Sequence, residues 1–521
     1  MTMRRAIPIL AALLALPTLS HAQQRIPLPA GPFDAALELS GEYRMNLSLV
    51  GAAAVDAEGT QMSQWPVLDN RLRSRFDIHL EFIRLSTEWD LFSGQLAGQS
   101  WGIPGEMDAQ RRHLVASQDG ISALRFIPRK GSVQFSFPTA VAEFGLTTSD
   151  WGLGMLSNSG ARTPYFGRND FGDRVLRARL TLRPMLIHPK ARNHPKAGGL
   201  FTTFAFDYVV EDEMASIRDN QRALQGTVAV LYQEPDHCRH GIYLVYRHQT
   251  ELNDGRTTSA LVADVLLDQW FPLPGDWRLR AAGEAVIIGG RTNRAVSWNA
   301  PEDLSVLSGG ATGLVEVRSP GNVFGGTLRA GWASADKDPD DGVTSDFAFD
   351  RDFDAGMVLF DELMAGVEAA TYNLVTDPEN TGTPPDGADG LVTEGAVRRT
   401  LFVQPVLRGS PLPFIDLQLG VLLAWSSGPV VQPFYTGRNG GVATNHHNTK
   451  SEGRFLGAET DLAITARIPF KGSIKETPAP GTPHFEAQLQ IGTLMTGQAL
   501  RAADGGPGRM GKMILTGRLR W

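Results

Sequence analysis

Arginine recurs at every second position in four short stretches of this chain: Arg71, Arg73 and Arg75; Arg177 and Arg179; Arg278 and Arg280; Arg518 and Arg520. In an extended chain alternate side chains share a face, so each stretch presents a row of guanidinium groups. A guanidinium grips carboxylate or phosphate through two parallel N–H bonds, and a ladder of them can hand an anion from site to site. The competing reading is structural. Glu38, Glu42, Asp77, Glu81, Glu284, Glu459, Asp461 and Glu486 fall on the same face by the same alternation, and Arg–carboxylate pairs also stabilise a wall.

Other candidate chemistry is thinner. Asp336-x-Asp338-x-Asp340-Asp341-Gly342 resembles a calcium loop, but its glycine is one place late and no glutamate closes it. These four aspartates are a weak calcium candidate, and no cofactor is expected. Cys238 lies in His237-Cys238-Arg239-His240, where four consecutive residues cannot complete a tetrahedral shell unaided. As the single cysteine it makes no internal disulfide. His188, His194, His237, His240, His446 and His447 gather in turns or loops without the spacing of a hydrolytic site, so no catalysis is expected.

The elements that hold the arginines are strands. The last twelve residues show the pattern: Met513, Leu515, Gly517, Leu519 and Trp521 alternate with Lys512, Thr516, Arg518 and Arg520, with Ile514 as one apolar intruder. A final strand with one greasy face that ends on an aromatic residue resembles the C-terminal assembly signal of outer-membrane barrels. Similar alternation marks strands near 33–49, 70–82, 83–93, 122–137, 140–149, 173–183, 200–210, 224–233, 241–251, 258–271, 277–289, 311–319, 323–334, 396–408, 413–426, 455–468, 483–496 and 510–521. Eighteen is an even count, as a bacterial barrel requires, and sixteen is the fallback. The fold class is therefore an all-β, antiparallel transmembrane barrel with long outer loops.

Connection lengths agree. From a periplasmic start the even connections are mostly compact, as at Pro138-Thr139 and Pro320-Gly321-Asn322, and the odd ones mostly long, as at 50–69, 94–121 and 335–395. Phe137, Phe201, Tyr243, Trp270, Phe271, Trp277, Phe324, Phe414, Phe470 and Trp521 fall at the periplasmic ends, where an aromatic girdle belongs. No apolar run after the N-terminus approaches the length of a helical span. Residues 1–22 read as a secretory signal peptide, with Arg4 and Arg5, an apolar stretch, and a Sec cleavage site near Ala22. Residues 23–32 then form a periplasmic segment and 33–521 the barrel.

The connection at 335–395 stands apart. Between Asp336 and Gly395 sixteen Asp and Glu face only Lys337 and Arg351, a net charge of −14 in a chain of net charge −7. The rest of the chain is therefore basic. Met357 to Val375 has the spacing of a short amphipathic helix, with Leu359, Leu363, Val367 and Ala370 on one side. It is expected to cap or fold into the lumen, with a solvated outer loop as the competing reading.

Trp151-Gly-Leu-Gly-Met-Leu-Ser-Asn-Ser-Gly160, Asp173-Arg174-Val175 and Gly331-Trp-Ala-Ser-Ala-Asp336 resemble the uncharacterised outer-membrane barrels common in myxobacteria. More distantly the chain is similar to the alginate-export porins. That resemblance implies eighteen strands, an arginine-lined lumen and passage of anionic polysaccharide or other anionic solutes. The chain departs from the pattern where Gly145-Leu-Thr-Thr-Ser149 stands for a more basic strand end. A general or nutrient-uptake porin is the alternative and an outer-membrane hydrolase a lesser one. Expected partners are outer-membrane lipid and lipopolysaccharide, the barrel-assembly machinery and periplasmic polysaccharide-export components, with no nucleic acid.

Overall fold

Strict two-residue alternation gives each strand one apolar and one polar face, and a sheet of such strands buries neither face unless it closes. The computed structural model describes residues 24–30, 33–61, 66–98, 125–169, 172–451, 453–470, 482–502 and 508–521, and in it the sheet closes. The expected signal peptide, residues 1–22, lies outside the described residues. The strands are β1 (Gln24–Ala30), β2 (Phe33–Val50), β3 (Val67–Leu80), β4 (Ile83–Ala97), β5 (Arg125–Ser136), β6 (Ala140–Thr148) and β7 (Arg174–Leu182). They continue as β8 (Leu200–Glu211), β9 (Gln221–Glu234), β10 (Cys238–Glu251), β11 (Thr257–Pro272), β12 (Arg278–Thr292), β13 (Leu304–Arg318) and β14 (Phe324–Ala333). The last are β15 (Val343–Thr344), β16 (Thr400–Leu412), β17 (Ile415–Ser426), β18 (Phe455–Pro469), β19 (His484–Thr496) and β20 (Arg509–Arg520).

Strands β2–β14 and β16–β20 pair antiparallel in succession, and β20 returns to β2 with Leu515 opposite Leu47. The result is a closed eighteen-stranded antiparallel barrel, and each predicted strand overlaps one of its members. The two-residue junction at Glu81-Phe82, which has no turn-favouring residue, is a tight hairpin in which Leu80 faces Ile83 and Glu81 takes φ 47°.

Two features at the seam lie beyond the sequence reading. β20 reaches down β2 only to Glu42, which would leave the start of β2 as an open edge. β1 covers that edge, pairing Gln24–Ala30 with Phe33–Leu39, so residues 24–30 of the expected periplasmic segment are a strand of the sheet. Trp521 and Gly41 exchange backbone hydrogen bonds of 2.9 and 3.1 Å in the gap between them.

The outward face is a continuous apolar band. Leu176, Phe204, Ile242, Leu261, Ile287 and Leu515, on six different strands, all lie exposed. A band of that kind around a closed ladder is a surface for bilayer hydrocarbon, since closure pairs the edge strands β2 and β20 with each other. Phe137, Phe271, Trp277, Phe324 and Phe470 stand exposed at the short-turn end as a girdle. Three expected girdle members face inward instead. Tyr243 is buried on the face of Val245, Trp270 shares the face of Asp268, and Phe201 that of Asp207. Height along the barrel selected these three, but parity along the strand decides the side.

Leu515 lies mid-strand on the lipid face. Leu515→Arg is expected to cost about 2–4 kcal/mol of folding free energy in lipid vesicles, while inward Thr516→Ser stays within about 1 kcal/mol. Equal losses in denaturant titrations would mean a register wrong by one residue.

Candidate functional site

An eighteen-stranded barrel is too wide for wall side chains to fill, and here two long-loop-end connections fill it. The acidic connection after β14 folds inward as a plug. Phe349, Met357, Val358, Leu359 and Phe360 are essentially inaccessible, packed against wall residues Phe402, Leu422, Leu494 and Ile514. The apolar intruder of the last strand is thus part of the plug's seat. Leu359–Met364 forms a π-helical turn that runs into the helix Ala365–Thr376. Residues on every side of this segment are buried, among them Phe360, Glu362, Val367, Ala369 and Thr371. The expected one-sided amphipathic helix is therefore surrounded.

A wall carboxylate holds the start of that segment. Glu459 of β18, fully buried, accepts the backbone N–H groups of Met357 at 2.6 Å, Val358 at 2.8 Å and Leu359 at 2.7 Å. These N–H groups precede a helix and have no partner within it, and an anion at this end also suits the helix dipole. Gly356 permits the approach, because a Cβ there would lie 2.9 Å from Glu459 Oε1. Lys512 of β20 adds an ion pair to Glu362 at 2.7 Å.

The connection between β6 and β7 crosses the lumen. Trp151 stacks on Tyr243 at 4.9 Å and donates Nε1–H to Asp264 at 2.9 Å. Leu153 N–H donates to Glu284 beside Gly152, whose φ of +56° and lack of a side chain leave room for that carboxylate. At the far side Gly167 N–H donates to Gln490 at 2.8 Å and Arg168 pairs with Asp69 at 2.6 Å. Strands β11 and β12 are thereby bridged to β19 and β3, across the ring. The two connections also bind each other, through Asp350 N–H to Met155 O at 2.7 Å and Asn158 Nδ2 to Asp352 O at 3.1 Å.

All nine sequence-selected arginines lie on strands at inward-facing positions, and most have a carboxylate in hand. Arg73 is bidentate to Asp90, Arg177 to Asp207 and Arg280 to Asp268, all at 2.7–2.8 Å. Arg71 and Arg520 share Glu42, Arg75 pairs with Asp77, Arg179 with Glu143 and Arg518 with Glu486. Arg278 instead lies 4.5 Å over the Trp270 ring. An arginine with both prongs on a carboxylate has little left for a passing anion.

The weak calcium candidate does not converge. Asp336, Asp338 and Asp341 each accept a nearby backbone N–H, and Asp340 accepts from Ser297.

Below the plug, towards the short-turn end, lies a cavity of about 450 Å³. Six arginines line it, Arg162, Arg280, Arg318, Arg329, Arg408 and Arg467, with Glu316, Asp352, Asp354 and Asp416 among them. Arg467 pairs with Asp416 and Glu486, and Arg318 with Glu316 at 2.6 Å. Arg329 sits between the Tyr165 and Phe353 rings at 4.9 and 5.1 Å and donates to Gln404 and Asp354 O, with no carboxylate in ion-pair range among the described residues. The Arg408 side chain makes no ion pair or hydrogen bond among the described residues. Only Arg280 of this set was singled out from sequence. The signal for the others was present: Arg329, Arg408 and Arg467 are lone cations flanked by apolar residues in alternating strands, a context that turns them inward.

No family model and no curated protein matches the chain. Among solved structures it is similar to Pseudomonas aeruginosa OccD3 (OpdP), at 8% identity and a TM-score of 0.49 over 96% of this chain and 94% of that one. It is likewise similar to the outer membrane protein OprD of the same organism, at 10% and 0.47 over 96% and 97%. A BenF-like porin from Pseudomonas fluorescens Pf-5 gives 10% and 0.47 over 93% and 99%. None of these likenesses bears on kinship with the myxobacterial barrels or the alginate-export porins.

Electrostatics tighten the plug unevenly. Burial pushes the Asp346 carboxyl up, but Arg399 and Arg398 outweigh it and hold the group at about 2. Burial raises Asp361, against Lys512 and with Glu362 and Glu459, to about 7. Asp361 thus keeps a proton in the seated plug that an unfolded chain releases near pH 3.9. Its stabilising share is complete below that value and is lost as pH rises through 7. Hydrogen exchange of residues 357–376 is expected to speed up between pH 5.5 and 8 beyond the intrinsic rate, and Asp361→Asn should flatten that rise.

Glu459→Ala leaves three buried N–H groups without an acceptor, each worth about 1–3 kcal/mol. The plug should unseat in that variant while the barrel persists, read as fast exchange of residues 357–376 with unchanged strand protection. Glu459→Gln, which keeps one carbonyl acceptor, should fall between it and the wild type.

Proposed function

We propose that the protein is an outer-membrane channel for small anionic solutes, with the arginine-lined cavity below the plug as the place where the anion is held. Membrane location is supported by the closed ladder, the encircling apolar band and the aromatic girdle. The observation that carries the ligand class is the cavity itself: six arginines against four carboxylates, with Arg329 and Arg408 unclaimed by any carboxylate among the described residues. A volume of about 450 Å³ falls in the range of small-molecule sites. Passage of an anionic polysaccharide, the finer expectation from the resemblance, requires both crossing connections to leave the lumen. In this reading the nine sequence-selected arginines stabilise the wall and set its potential, and Arg280 alone also faces the held anion. Membrane lipid with lipopolysaccharide and the assembly machinery are partners that any such barrel uses. Periplasmic export components belong only to the polysaccharide form.

The test is reversal potential across a planar bilayer with a salt gradient. The wild type should prefer anions, and Arg408→Ala with Arg329→Gln should reduce that preference by a few-fold, less at high salt because the lumen is hydrated and screened. A cation-selective wild type unaffected by both changes would make a general porin the better account.

A further inference from the structure

We propose that Asp173, Glu213 and Asp350 form a divalent-cation site, suited to Ca2+, that fastens the plug to the long-loop rim of the barrel. The three come from separate segments. Asp173 ends the connection that crosses the lumen, Glu213 lies just beyond β8, and Asp350 belongs to the plug. One carboxylate oxygen from each lies within 4.8 Å of the others. Oxygens that share a Ca2+ at 2.3–2.6 Å are at most about 5 Å apart, so the spacing is that of a coordination shell.

A second observation points the same way. Asp350 is 2% exposed, and its Oδ2 has no hydrogen-bond partner; Glu213 Oε2 is buried and unpartnered as well. Unsatisfied carboxylate oxygens are costly in such a place. The neighbouring cations are already committed: Arg174 to Glu211, Arg247 to Asp212 and Arg351 to Glu394. The trio is therefore left without an arginine of its own. Burial first, and then repulsion from nearby carboxylates, pushes all three groups up, Glu213 to about 7. A divalent ion would remove that penalty, and all-oxygen donors on independent loops suit the flexible geometry of Ca2+ better than the strict octahedron of Mg2+. These residues are distinct from Asp336, Asp338, Asp340 and Asp341, whose carboxylates serve turns. The inference does not depend on what the channel carries.

The experiment uses the full chain refolded in detergent, stripped with a chelator and titrated with CaCl2 by calorimetry, with thermal unfolding in parallel. The wild type should bind Ca2+ and unfold at a higher temperature with it than with chelator. Asp350→Asn should lose one equivalent or weaken it roughly tenfold or more, as loss of a metal-site group does. It should also unfold at the same temperature with and without Ca2+. It relieves repulsion, so it is expected to fold; Glu213→Gln, on a short rim connection, is the second variant. Asp338→Asn should behave as wild type. Unchanged stoichiometry and affinity in both Asp350→Asn and Glu213→Gln would overturn the proposal, as would a wild type indifferent to millimolar Ca2+.

Discussion

The seat that Glu459 makes for the plug is the contact on which the interior depends. A charged group buried in a barrel wall is unfavourable unless its oxygens are fully engaged. Three consecutive N–H groups at the start of a helical segment engage it, and the same contact satisfies three donors that would otherwise be orphaned. It sets the depth of the plug, because Gly356 brings the backbone onto the carboxylate and Leu359 and Phe360 then face the wall. Phe402, Leu422, Leu494 and Ile514 are apolar on a face that should be polar, and the docked plug is the physical reason.

This is also where the sequence stopped being legible. Strands were readable because lipid on one side and a polar interior on the other impose a period of two on each strand separately, even at Glu81-Phe82, where no turn residue marks the hairpin. The plug obeys no local period. Met357 to Val375 carries helical spacing, but its partners lie on β16 to β20, so no window of sequence contains the pairing. Ile514 was visible as an exception to alternation, yet one exception does not say what covers it. The aromatic girdle failed at Phe201, Tyr243 and Trp270 for a related reason: height is set by distance from the turn, and side by parity.

The arginines were legible as inward cations and not by role. Reading them as rows favoured Arg71, Arg73, Arg75, Arg177 and Arg179, where alternation is repeated. Repetition on a closed sheet also places carboxylates opposite, as at Asp90 and Asp207, and the result is a braced wall. Isolated cations such as Arg329 and Arg408 lack that opposite charge. A single arginine in an apolar strand is weaker as a pattern and freer as a ligand.

Charge is ordered along the barrel axis as well. The segment with net charge −14 fills the end with long loops, and the arginine-lined cavity lies beyond it towards the short turns. Part of that acid is neutralised locally, at Asp346 by Arg398 and Arg399 and at Glu394 by Arg351. Another part is buried, as at Asp350, Asp352 and Glu362, and a third faces outward, in Asp338, Asp340, Asp341 and Glu379. An anion that approaches from the long-loop end meets this field before the plug, while one from the short-turn end reaches Arg408 and Arg467 without crossing it. The two mouths are electrostatically unequal. At low ionic strength, where a field of this kind extends tens of ångströms, the exposed acid makes the potential at the long-loop mouth more negative than at the short-turn mouth.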